Sequence, residues 1–264
     1  MPFSTTLGLL RSLLIYHAIP GRIHRLTRFY AQFLKPGDLC FDIGAHAGNH
    51  TRALRRLQAR VIAVEPQPAF AALLRRLYRS DSEVTLLAQA LGAEPGPRTL
   101  FISHRTPTVT TLSATWADQV RTDPGFSRVH WDDALQVEVT TLDTLIQTYG
   151  LPAFCKIDVE GYELEVLRGL SHPLPLLSFE YLPATREIAL ACLDRLAELG
   201  NYTYNWSIGE QMQLTPHWVP PTQAAHYLQT LPPTAREGNL YAKIERFGDS
   251  ATQRLTQPPN YLTT

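Results

Sequence analysis

Leu39-Cys40-Phe41-Asp42-Ile43-Gly44-Ala45-His46-Ala47-Gly48-Asn49-His50-Thr51 is a short apolar run that closes on an acid and then a glycine-rich turn. The run is too brief for a helix, whereas residues 51–59 after the turn carry helical spacing, so the stretch reads as strand, loop, helix. The same rhythm continues outward: 61–65 as strand, 69–78 as helix, 84–90 as strand. It returns with 154–159, 162–170, 176–181 and 185–199. Strands alternating with helices require crossover connections, which build a mostly parallel sheet with helices on both faces, an α/β fold. Residues 98–103, 136–142, 202–207 and 240–244 read as further strands, and Pro220-Pro221 and Pro232-Pro233 punctuate the late segment. Between them, 104–135 is irregular, polar and aromatic, a candidate lid.

The 264 residues are 44% hydrophobic, enough for a sizeable core. Lys+Arg and Asp+Glu are equal at 24 each, so no global field favours nucleic acid or an anionic membrane surface, and no nucleic-acid partner is expected. Cys40, Cys155 and Cys192 are scattered and odd in number, which argues against a disulfide framework and against zinc; a reducing, cytoplasmic setting fits. No metal site is assigned. The interrupted apolar run 7–15 is short of a membrane span and reads as a helix packing on the domain, so no integral membrane segment is expected. Ile23, Leu26, Phe29, Tyr30 and Phe33 give a second helix ended by Lys35-Pro36-Gly37-Asp38. The chain therefore divides into a helical extension over 1–34, a domain over 35–247 and a polar tail over 248–264.

Ligands of open parallel sheets bind beyond the carboxyl ends of the strands, where Asp42, Gly44 and Gly48 fall. Glycine lets backbone approach a ligand, and the G-x-x-x-G spacing differs from the G-x-G-x-x-G of pyrophosphate binders. S-adenosylmethionine has no phosphate but carries an ammonium that wants a carboxylate, for which Asp42 is the candidate. Glu65 ends the next strand, where an acid accepts ribose hydroxyls, and Gln89 ends the third within reach of an adenine edge. Helix capping is the plain alternative for either acid alone.

Asp42 to Thr51, Val64-Glu65-Pro66 and Lys156-Ile157-Asp158-Val159-Glu160-Gly161-Tyr162-Glu163 together resemble the FkbM family of methyltransferases. Val109-Thr110-Thr111-Leu112-Ser113, Val139-Thr140-Thr141-Leu142-Asp143 and Leu164-Glu165-Val166-Leu167-Arg168-Gly169-Leu170 add to the likeness, which runs from about Lys35 to Phe247. The resemblance implies a class I, Rossmann-like methyltransferase fold on a seven-stranded sheet and S-adenosyl-L-methionine as donor. It also implies O-methylation of a small-molecule or glycan hydroxyl, on a sugar or secondary metabolite. It places Ala45, His46, Asn49, Thr51, Pro66, Ala90 and Asp158 beside the cofactor; His46 departs from the asparagine more usual there.

Methyl transfer to an alcohol profits from a base near the acceptor oxygen. Asp158, Glu160 and Glu163 gather at the end of the fourth strand; an extended chain there would point Asp158 and Glu160 the same way, with Glu163 in the first helical turn. Such a pair could hold a base with a raised pKa or a divalent cation. Glu180 ends the fifth strand among apolar neighbours and needs a partner or a purpose. Lys156 reads as an ion-pair partner. Trp116 and Trp131 could stack on an acceptor or pin the loop, and the clustered arginines after residue 51 read as a solvated face. Two rivals remain: an NAD-dependent oxidoreductase of Rossmann type, and a non-catalytic nucleoside-binding accessory protein.

Overall fold

The structure, a computed structural model, describes residues 21–209 and 211–245. The helix expected over 7–15 and the tail from 248 lie outside the described residues. Helix α1 (Arg22–Tyr30) buries Leu26, Phe29 and Tyr30 against the sheet, with Tyr30 meeting Phe154 and Phe29 meeting Tyr241 at ring-centroid distances of 5.3 Å.

The main sheet takes β1 (Leu39–Ile43), β2 (Arg60–Val64), β3 (Val84–Leu87), β7 (Phe154–Ile157), β8 (Leu176–Tyr181), β9 (Tyr202–Ile208) and β10 (Gly238–Ile244). Their order is β3-β2-β1-β7-β8-β10-β9, parallel except for β10, which runs antiparallel to both neighbours. β1 is buried almost throughout, as a strand covered on two faces must be. Crossovers run through α2 (Asn49–Arg56) and α3 (Pro68–Leu77) on one side of β1, and α6 (Glu163–Arg168) and α7 (Arg186–Leu199) on the other. The chain thus leaves β1 towards β2 and later returns to pair β7 beside it, a topological switch at whose carboxyl edge a crevice opens.

Register fixes that edge. Ile43 pairs with Val64 on one side and Ile157 on the other, and Ile157 pairs with Phe179. The residues that follow, Gly44, Glu65, Asp158 and Glu180, therefore emerge at one level.

The expected strand over 84–90 divides in two: β3 stops at Leu87, and Ala90–Leu91 form β4 in a second sheet of order β4-β6-β5, with β5 (Gly96–Ile102) and β6 (Asp133–Thr140). An apolar run gives no sign of where it changes sheets. The strand expected to continue to Val159 ends at Ile157, because Glu160 and Gly161 adopt left-handed backbone at φ 55° and 83°. Three helices stand where none was expected. They are α4 (Ala114–Val120), capped by Ser113; α5 (Leu142–Tyr149), capped by Thr141; and α8 (Pro221–Thr230), where Pro221 opens a helix rather than a turn. No described helix is long and apolar enough to cross a membrane, and all three cysteines are buried and free.

Candidate active site

A cavity of about 220 Å³ opens at the carboxyl edge, lined on the β1–β2 side by Gly44, His46, Asn49, Glu65 and Pro66. Glu65 is 5% exposed and is held by two backbone donors: His46 N–H to Oε2 at 2.7 Å and Gln67 N–H to Oε1 at 2.8 Å. Burial pushes its carboxyl up to about 7, against the pull of those two N–H groups. Each oxygen keeps a lone pair for a ligand hydroxyl. His46 sits at φ 46°, a conformation that histidine tolerates better than most side chains. Its ring lies 3.9 Å, centroid to centroid, from that of Phe70.

Gly44 admits no side chain. A Cβ there would lie 1.8 Å from the backbone oxygen of Asp158, so the glycine turn and the end of β7 touch backbone to backbone. Asp42, proposed to face an ammonium, lies behind the cavity wall and is fully buried, accepting from Thr51 Oγ1–H at 2.6 Å and facing Lys156 Nζ at 3.7 Å. Lys156 also meets Asp158 at 3.1 Å. Burial works against its charge, yet Asp158 and Asp42 together hold its pKa above the ordinary value. Ala45, Gly48 and Thr51 likewise stand behind the lining, Gln89 stands off it, and Ala90 joins Leu91 and Leu100 in an apolar wall.

On the β7–β8 side, Asp158, Glu160 and Glu180 each offer a carboxylate oxygen within 4.8 Å of the other two. Burial first, and then the neighbouring carboxylates, raises the pKa of both Glu160 and Glu180 well above the usual range. Oxygens so spaced either share protons or could grip a cation. Glu160 joins the group through its left-handed backbone, not through the extended chain expected of it. Glu163 faces away from the first cavity and is 2% exposed; it accepts N–H from Val159 at 3.1 Å and Gly161 at 3.3 Å, and so shapes the loop that carries Glu160. Burial drives its carboxyl up to about 7.

The irregular segment closes over both sides. Gln67 Nε2 donates to Thr110 Oγ1 at 2.6 Å, and Thr111 Oγ1 donates to the Glu160 carbonyl at 2.6 Å. Trp116, 2% exposed, packs on Gly161, where a Cβ would come within 2.1 Å of its ring. Trp131 donates from Nε1 to the Val109 carbonyl at 2.9 Å, pinning the segment rather than lining a cavity. Sequence reasoning did not single out Gln67, Met212 or Glu237, which reach the cavity from connections without a motif, or Asn239, which reaches it from β10 opposite Glu180. His50 lines it too, its Nδ1 2.6 Å from the Tyr30 hydroxyl of α1, and burial keeps the ring pKa well below ordinary.

The Methyltransferase FkbM domain model matches residues 42–204. A curated relative, the hexuronic acid methyltransferase AglP of Haloferax volcanii, is 26% identical over 157 residues, which are 58% of this chain and 59% of that protein. The chain thus spans less than two thirds of the relative's length. Among solved structures, a TehB-like SAM-dependent methyltransferase from Corynebacterium glutamicum aligns over 92% of this chain and 98% of its own, with a TM-score of 0.47 and 9% identity. A precorrin-6y C5,15-methyltransferase from Geobacter metallireducens covers 85% and 87%, with a TM-score of 0.43 and 12% identity. The family model spans more than half of the chain, and its start at Asp42 takes in the glycine turn, the Glu65 loop and the carboxylate group just described. This chain belongs to the FkbM family of methyltransferases, which implies S-adenosylmethionine as the methyl donor.

Proposed function

We propose that the protein is an O-methyltransferase acting on a hydroxyl of a sugar, glycan or secondary metabolite, with residues 35–247 as its catalytic domain. The observation that carries the reading is the shared register that brings Gly44, Glu65, Asp158 and Glu180 to one level around one cavity. The cavity suits the donor chemically. Glu65 offers lone pairs for ribose hydroxyls, Ala90, Leu91 and Leu100 offer an apolar wall for a base, and Gly44, His46 and Asn49 line space for an amino-acid tail. Asp42 acts from behind, holding Thr51 and Lys156 in place. The name of the curated relative supports a sugar-class acceptor.

When bound, S-adenosylmethionine supplies an electrophilic methyl carbon on a sulfonium, and the C–S bonding pair leaves with the thioether. The residues must hold the acceptor oxygen about 3 Å from that carbon, opposite the sulfur. Glu160 and Glu180 stand where they can accept the hydroxyl proton as the O–C bond forms, and their raised pKa narrows the gap to an alcohol. Asp158, fixed by Lys156, orients the acceptor. Lys156 and Glu163 are positioning residues in this scheme.

Methyl-labelled cofactor offered with a panel of glycans, glycolipids and natural-product alcohols, read by mass spectrometry, tests the activity. Asp158→Asn and Glu160→Gln are expected to lose turnover by about 100-fold or more while S-adenosylhomocysteine binding stays within a few fold. Wild-type rates in either variant would remove that residue from the chemistry.

A further inference from the structure

We infer that a second cavity, beside the first, is the acceptor subsite, and that it takes an uncharged sugar ring or similar polyol in preference to an anionic one. The inference rests on the methyl-transfer reading above. This second cavity has a volume of about 210 Å³, and Thr108, Glu160, Glu180 and Glu237 line both cavities, so the two meet at the carboxylates. An acceptor seated in the second would present its hydroxyls to Glu160 and Glu180 at the wall it shares with the first.

The remaining wall is apolar and aromatic. Trp116 and Phe126 come from the covering segment, with ring centroids 5.6 Å apart and planes at 89°; Leu182 and Ile188 come from the chain after β8. Aromatic surface beside hydroxyl-accepting carboxylates matches a sugar, whose ring C–H groups and hydroxyls point different ways.

Charge decides between sugars. Among the described residues lining the second cavity there is no Lys, Arg or His, while Glu160, Glu163, Glu180 and Glu237 all contribute. Lys156 lines only the first cavity and is already shared by Asp158 and Asp42. An acceptor bearing its own carboxylate would find no cation to balance it, only four carboxyl groups, of which Glu160, Glu163 and Glu180 hold their protons more tightly than usual because of burial. A protonated amine would be attracted, but its nitrogen has no lone pair to methylate.

The test is direct binding, by saturation-transfer NMR and calorimetry, to the full chain saturated with S-adenosylhomocysteine in EDTA. The probes are neutral methyl hexosides and glucuronate. At least one neutral hexoside is expected to bind about tenfold or more tightly than glucuronate, and Phe126→Ala is expected to weaken it about tenfold while leaving S-adenosylhomocysteine affinity unchanged. Thr108→Arg, which brings a cation to the shared wall, is expected to shift the preference towards glucuronate. Tighter binding of glucuronate than of every neutral hexoside by the wild type, no binding of any neutral hexoside, or hexoside binding untouched by Phe126→Ala would each overturn the subsite while S-adenosylhomocysteine still bound. Failure of S-adenosylhomocysteine itself to bind the wild type would overturn both this and the methyl-transfer reading.

Discussion

The two rims of the cavity at the carboxyl edge are built in opposite ways. On the β1–β2 side, Gly44 and Glu65 sit one residue past their strands, and backbone N–H groups two or nineteen positions from Glu65 hold its carboxylate. On the β7–β8 side, the carboxylate loop takes its shape from side chains far along the chain: Thr111 reaches the Glu160 carbonyl across 49 positions, and Trp116 packs on Gly161. The first rim follows from the sheet itself, whereas the second depends on a covering segment that another sequence could replace. On the proposed reading, the first rim grips the cofactor and the second is an exchangeable acceptor wall, the division expected where one fold serves many substrates.

The join between the rims is the place to break both at once. Gly44→Ala puts a Cβ against the Asp158 backbone at a left-handed position, and is expected to cost about 3 kcal/mol or more and abolish S-adenosylhomocysteine binding. A urea melt and calorimetry would read it, and near-wild-type values would show that the rims do not meet there.

The next effect sharpens the comparison through pH. Glu163, buried under the acceptor-side loop, has its pKa raised from the ordinary 4.5 to about 7 by burial. Below 4.5 the folded and unfolded chains both hold the proton; between 4.5 and about 7 only the folded chain does, so the contribution to stability is lost as pH rises through 7. The urea midpoint is expected to fall between pH 5 and pH 8, corresponding to about 2 to 3 kcal/mol of unfolding free energy for this group, and Glu163→Gln should flatten the slope. A midpoint rising across that range in the wild type would refute the sign.

Two smaller changes separate the rims. Thr111→Val removes the hydrogen bond to the Glu160 carbonyl and the acceptor of the Ser113 N–H, at about 1 to 3 kcal/mol of stability together, and should lower turnover about tenfold with cofactor affinity unmoved. Equal losses in both would mean that the segment grips the cofactor too. Trp131→Phe loses the Nε1–Val109 hydrogen bond and trims the ring that meets Trp116 edge to face, and a drop of about 1 kcal/mol in the melt, with S-adenosylhomocysteine affinity unchanged, is expected.

The same asymmetry explains what could be read from residues alone. The alternating strands and helices, and the placing of Gly44 and Glu65 one residue past their strands, were legible because a buried parallel strand is a plain apolar run and the carboxyl edge begins at the next residue. The break at Leu87 was not, since Val84 to Leu91 stays mostly apolar while passing from one sheet to another. Nor was the loop at Glu160: its left-handed turn depends on Glu163 accepting from the backbone and on Trp116 filling the space above Gly161. Asp42 was recognisable as a strand-end acid, but its burial behind Lys156 follows from a partner 114 positions away, which no local spacing reveals.

Calorimetric titration of S-adenosylhomocysteine into the wild type and Glu65→Ala at pH 8, where Glu65 is ionised, tests the central claim most directly. A cofactor site built on the register of β1 and β2 requires the variant to bind about 10- to 100-fold more weakly with its melting curve near that of the wild type. Equal affinity in the two proteins would contradict it.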